Sequence, residues 1–60
     1  MTLRILIAGG HSLNRSALRL FLQEARGFEV VGEAADSEDL LAQVQTWHPN
    51  VVLLEWELPG

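Results

Sequence analysis

The chain has no cysteine, so neither a disulfide nor a thiolate metal site is available to reinforce a fold of only 60 residues. A chain of that length is at most one small domain, and it buries only about 60% of its unfolded surface. Lysine is also missing: the four basic residues are all arginines, at positions 4, 15, 19 and 26. Seven of the eight acids follow residue 27, and the net charge is −4. With no basic patch beyond one helix face, direct nucleic-acid contact by this segment is not expected. No apolar run approaches the roughly 20 residues that span a bilayer, which argues against a membrane role. Met1-Thr2-Leu3-Arg4 lacks the basic, apolar, small-residue order of a signal peptide. A soluble, cytoplasmic protein is the expectation.

What is present is a core-forming composition. The hydrophobic fraction of 48% is that of a globular domain, not of a disordered tail. Leu3 to Ala8 reads as a strand buried on both faces, because Ile5, Leu6 and Ile7 are consecutive apolar residues. Gly9-Gly10 breaks it. A helix is expected from about Ser12 to about Arg26, with Leu13, Ala17, Leu18, Leu20, Phe21, Leu22 and Ala25 on one broad arc. Gly27 stands where a helix C-terminal glycine belongs. Phe28 to Ala34 is a second strand, partly alternating and so nearer a sheet edge. Asp36 and Ser37 are candidate caps for a second helix, and Glu38 and Asp39 suit its positive end. Leu40, Leu41, Val44 and Trp47 form its apolar stripe, and Pro49 ends it near His48. Val51 to Leu54 is a third apolar strand.

The order β-α-β-α-β with short connections predicts an α/β fold. Right-handed crossovers give a parallel sheet with helices on both faces and strand order 2-1-3. The third strand is then an apolar edge with nothing left in the chain to cover it, which invites pairing with another chain. The expectation is a single partial domain over residues 1–60, half of a five-stranded unit in a protein that continues further, or a homodimer through that edge.

The motifs in this order resemble the first half of a response-regulator receiver domain, of the subfamily that carries a helix-turn-helix DNA-binding output domain. The likeness rests on Arg4-Ile5-Leu6-Ile7-Ala8 with His11, on Phe28-Glu29-Val30-Val31-Gly32-Glu33-Ala34-Ala35, on Pro49-Asn50-Val51-Val52-Leu53-Leu54, and on Leu58-Pro59-Gly60. It implies a flavodoxin-like sheet of order 2-1-3-4-5, with its site at the carboxyl ends of strands 1 and 3. In two-component signalling that site is a phosphorylation pocket. Two acids after strand 1 hold Mg²⁺, an aspartate ending strand 3 accepts the phosphoryl group from a kinase histidine, and a backbone carbonyl two residues later completes the metal site. By position the acid pair falls on Gly9 and Gly10, the acceptor on Glu55 and the carbonyl on Glu57. The family's later hydroxyl residue and lysine have no counterpart within these residues.

The departures bear on chemistry. Mg²⁺ wants octahedral oxygen coordination with one or two carboxylates, and the two glycines offer none. Without the metal, an attacking carboxylate repels the incoming phosphoryl group. Glu55 is one methylene longer than aspartate, a displacement on the order of 1 Å that alone costs roughly 10²-fold. The leading expectation is a degenerate receiver with no catalytic residue, no bound metal and no cofactor, acting by contact with an output domain, a dimer mate or a kinase. Two alternatives stay open: a working phosphoacceptor at Glu55, and a small anion- or nucleotide-binding enzyme fragment that uses Gly9-Gly10. The glycines also suit a merely permissive turn. A further reading has Glu55 imitating a phosphorylated aspartate, imperfectly, because a phosphate brings more charge and three acceptor oxygens.

Around the pocket, His11, Asn14, Trp56 and Glu57 form its expected rim. Asn14 is either a donor into the vacated site or a satisfied helix-start residue. Trp56 either packs locally or faces a partner. Arg15, Arg19 and Arg26 lie within about 40° on one helix face. That face is either solvated or a partner surface, as the resemblance implies for kinase docking. His48 is expected as an exposed helix end.

Overall fold

Ile5 to Ala8 carries no polar side chain, so this stretch has no face to offer water and is driven to the middle of a sheet. The computed structural model describes residues 2–55 and 58–60. In it β1 (Leu3–Ala8) pairs in parallel on both sides, with β2 (Phe28–Ala34) and with β3 (Val51–Leu54), in the order β2-β1-β3. Helix α1 (Ser12–Glu24) joins β1 to β2, and α2 (Ser37–Trp47) joins β2 to β3. This is the expected β-α-β-α-β arrangement. Ile5, Leu6, Ile7 and Ala8 are at most 2% exposed, and with Val30 and Ala34 they make up the core.

The pleat of β1 divides its side chains between two layers. Ile5 and Ile7 join Val30 against Leu18 and Leu22 of α1. Leu6 points the other way, toward Gly32, where Gln43 and Trp47 of α2 come close. A Cβ at Gly32 would overlap the Gln43 side-chain oxygen and sit 3.2 Å from Leu6 and 3.3 Å from Trp47. Pairing shifts between Ile5–Val30 and Leu6–Gly32, so β2 carries one extra residue, Val31, at a bulge.

The ends of α2 follow the sequence. The Asp36 carboxylate accepts from the Asp39 amide at 2.8 Å, an N-cap bond. At the other end His48 is exposed and takes a left-handed conformation, φ 46°. Its carbonyl accepts from Arg4 Nη1 at 3.1 Å. Asn50 then clamps the start of β1. Its Oδ1 accepts from the Arg4 amide at 2.8 Å, and its own amide donates to the Arg4 carbonyl at 2.8 Å.

Helix α1 departs from expectation in two ways. It stops at Glu24 rather than running to Arg26, because Ala25 is already extended (ψ 134°). Gly27, at φ 89°, turns the chain into β2. Arg26 therefore leaves the helical face it was expected to share with Arg15 and Arg19. The apolar arc is also wider than the surface available to it. Leu18 and Leu22 pack on the sheet, whereas Leu13, Leu20 and Phe21 are 83%, 66% and 72% exposed. Three strands are too narrow a floor for that arc. On the far edge all four residues of β3 are exposed. No helix among the described residues is long and apolar enough to cross a membrane.

Truncating Leu6 to alanine is expected to cost about 2–5 kcal/mol, as for other large core deletions. A core of this size supplies only about 3–5 kcal/mol, so Leu6→Ala should abolish cooperative urea unfolding followed by circular dichroism. An unchanged midpoint would remove Leu6 from the core.

Candidate functional site

The carboxyl ends of the three strands are tied together at one height. The Glu55 amide donates to the Ala8 carbonyl at 2.7 Å, and the Gly9 amide donates to the Ala34 carbonyl at 2.9 Å. This brings Gly9 and Glu55 side by side. Gly9 is buried and Gly10 exposed. A Cβ placed on Gly9 would lie 2.6 Å from Glu55 Cδ and 2.7 Å from both its Cβ and its Oε2. Real Cβ atoms essentially never come that close, so the Glu55 side chain occupies the space a side chain at position 9 would need. Among the described residues the glycines with positive φ are Gly27 and Gly60. The requirement for glycine at position 9 is therefore steric rather than torsional, which replaces the permissive-turn reading there.

Glu55 also buries part of its carboxylate. Its Oε1 is buried and accepts no hydrogen bond within the described residues. A buried acceptor without a donor carries its desolvation cost uncompensated. Beside it Asn14, Ala17, Leu18 and Phe21 of α1 line, with Glu55, a groove of about 500 Å³. A second open cavity of about 390 Å³ lies at the start of α1 between Gly10, His11, Ser12, Leu13 and Asn14. Glu55 is the one carboxylate among the described lining residues of these two spaces. No group of three or more histidine, cysteine, aspartate or glutamate side chains that could hold a metal ion occurs among the described residues.

Helix α1 enters the site without the usual side-chain cap. His11 holds the N-cap position with extended backbone and no capping bond from its side chain. Its carbonyl accepts from the Arg15 amide at 3.1 Å. The Arg15 side chain turns back and donates through Nη1 to the Gly9 carbonyl. Its Nε meets Glu33 Oε1 at 3.3 Å, and Arg19 Nη1 meets Glu33 Oε2 at 2.9 Å. The Arg15 side chain is only 14% exposed, against 42% for Arg19.

The sequence-derived candidates thus divide. Gly9, Gly10, His11, Asn14 and Glu55 gather at the strand ends. Arg15 and Arg19 are committed to Glu33, and Arg26 lies apart, beyond the end of α1. Trp56 and Glu57 lie outside the described residues. Glu33 is a site residue that the sequence does not single out; the i, i+4 spacing shows only that Arg15 and Arg19 share a face of α1.

No protein-family model matches the chain. It is 34% identical over 58 residues to the response regulator UvrY of Escherichia coli (strain K12), covering 97% of this chain and 27% of that protein. It is 38% identical over 58 residues to protein-glutamate methylesterase/protein-glutamine glutaminase 5 of Myxococcus xanthus (strain DK1622), covering 97% of this chain and 17% of that one. Among solved structures it superimposes on a LuxR-family two-component response regulator from Aurantimonas sp. SI85-9A1 with a TM-score of 0.91 and 30% identity, covering 100% of this chain and 43% of that chain. The chain spans about a quarter of the length of UvrY. The parallel sheet of order 2-1-3 is a partial flavodoxin-like fold. With likeness along nearly all of its length, the chain is a receiver-domain segment of the response-regulator kind.

Gly9→Ala is expected to destabilise the segment by about 1–3 kcal/mol, the usual cost of overpacking. A Glu55→Gly background should shrink that penalty, with a coupling of roughly 0.5–3 kcal/mol in a double-mutant cycle. Additive penalties in urea titrations would show that the two positions do not compete for space.

Proposed function

We propose that this segment is a pseudo-receiver, a signalling module that works by protein-protein contact without phosphoryl chemistry of its own. One observation carries the reading: the Glu55 side chain fills the space beside Gly9, where the resemblance places a metal-binding acid. The donor set does not suit Mg²⁺, which is held by carboxylates in octahedral geometry, since Gly9 and Gly10 contribute no side chain and Glu55 is the one carboxylate among the described residues lining the site. Without charge neutralisation and positioning, little of phosphoryl-transfer catalysis remains.

The proposal extends to the protein as a whole. Likeness to UvrY and to a LuxR-family regulator supports a cytoplasmic transcriptional regulator with a DNA-binding output domain. Its contacts would be that output domain, a dimer mate or a kinase. The Myxococcus relative is an enzyme by name, but the matched residues are about a sixth of it. That likeness brings no catalytic activity to this segment.

An amide NMR titration with Mg²⁺ and beryllofluoride should leave Gly9, Gly10 and Glu55 unshifted; shifts centred on them would mean a live pocket and end the pseudo-receiver reading. The exposed β3 edge supports self-association. Sedimentation equilibrium of the 60-residue chain should show a concentration-dependent dimer, and a strict monomer would rule out pairing through Val51 to Leu54.

A further inference from the structure

Two glycines in succession make a costly hinge, because each loses more backbone freedom on folding than any other residue. The β1–α1 turn contains such a pair at Gly9-Gly10, and the helix it leads into lacks a side-chain N-cap. The turn is held by backbone and side-chain contacts from both neighbours. On the amino side the Gly9 amide is bound to the Ala34 carbonyl at 2.9 Å. On the carboxyl side its carbonyl is bound by the Arg15 guanidinium.

We propose that Arg15 is the positioning residue of this turn, fixing Gly9 against Glu55 through a relay that starts at Glu33. The relay has a direction. Glu33 is gripped at both oxygens, by Arg19 at 2.9 Å and by Arg15 Nε at 3.3 Å. That grip sets the plane of the Arg15 guanidinium and aims Nη1 at the Gly9 carbonyl. A planar fork of fixed donors suits this double task, and a lysine ammonium would not reproduce it. Burial of the Arg15 side chain to 14% exposure shields the relay from screening. Arg19 is 42% exposed and donates to Glu33, with no hydrogen bond to the turn among the described residues. The two arginines of one helix face therefore have different jobs: Arg15 shapes the site and Arg19 steadies Glu33.

The proposal does not depend on whether the pocket accepts a phosphoryl group. Its consequence is that the surroundings of Glu55 are set from α1, two contacts away. Glu55 cannot move toward β1 while Gly9 is held, and its other side faces the groove along Asn14, Ala17, Leu18 and Phe21.

The test compares Arg15→Met, Arg15→Lys and Arg19→Met by amide hydrogen exchange and by the carbon resonance of the Glu55 carboxyl group. Losing a hydrogen bond to a charged group should speed local exchange at the Gly9 and Glu55 amides, bonded to Ala34 and Ala8, by about tenfold in Arg15→Met. The Glu55 carboxyl resonance should shift with it. Arg15→Lys should recover part of both effects through a single donor, and Arg19→Met should leave Glu55 within about twofold of the parent. Equal effects of Arg15→Met and Arg19→Met would overturn the proposal. If Arg15→Met does not fold, Arg15→Lys decides: a Glu55 resonance indistinguishable from the parent would equally overturn it, and a partial shift would support it.

Discussion

The fold depends on a central strand that is apolar on both faces and paired on both edges. β1 is the strand whose last four side chains are all withdrawn from water. Ile5 and Ile7 supply the layer under α1, and Leu6 supplies the layer under α2. Parallel pairing puts the carboxyl ends of all three strands at one end of the sheet. In open α/β sheets that end is where sites form, at the point where strand order reverses. Because β1 lies between β2 and β3, whatever follows Ala8 must sit between whatever follows Ala34 and whatever follows Leu54. Gly9 meets Glu55 for that reason.

The same geometry explains why the site does not behave as a loose collection of polar groups. Gly9 is pinned through its amide by β2 and through its carbonyl by α1, and it is crowded from β3 by Glu55. A strand end with so many neighbours has little room to adjust, since packed interiors give way only at a cost. The polar chain Glu33–Arg15–Gly9 costs less than its burial suggests, because each charged group in it has an opposite partner. Glu55 is the exception, with Oε1 buried and without a donor among the described residues. Strain of that kind tends to collect at functional sites.

Much of the architecture is visible in the residues before any coordinates. The apolar run at Ile5 to Ala8 marks a central strand, and Asp36 followed by Glu38 and Asp39 marks a helix start. The end of α1 is less legible, because Ala25 has high helix propensity and gives no local reason to stop at Glu24. The turn is made instead by the left-handed Gly27, whose carbonyl then accepts from the Leu3 amide at 2.8 Å. Nor does periodicity show how much of the arc on α1 will find a partner; that depends on sheet width. At the site, the substituted positions Gly9, Gly10 and Glu55 stand out by their departure from a receiver pattern. The grip of Arg15 and Arg19 on Glu33 does not stand out. It joins residues 14 and 18 positions apart, and helical spacing predicts only that the two arginines share a face. The steric role of Gly9 is likewise a property of two strand ends brought together, not of either segment alone.

This mutual dependence bears on what an acid at position 9 would meet. If glycine at position 9 were simply an acid removed, restoring the acid would restore a metal ligand. The packing argues otherwise, because any side chain at position 9 begins with a Cβ within 2.7 Å of Glu55. An aspartate there would collide with the glutamate before it could coordinate anything, and it would bring a second carboxylate beside one whose buried oxygen has no donor among the described residues. Two negative charges at such a distance repel strongly in a partly buried setting. Shortening Glu55 to aspartate withdraws the carboxylate but leaves its Cβ, which is itself 2.7 Å from the same point. The ends of β1 and β3 would have to separate as well, against the 2.7 Å hydrogen bond from the Glu55 amide to the Ala8 carbonyl. Glycine at position 9 and the close approach of residue 55 are thus one structural choice. An acid at position 9 therefore needs more than its own substitution, because the Cβ of residue 55 stands in its way whatever the length of the side chain there.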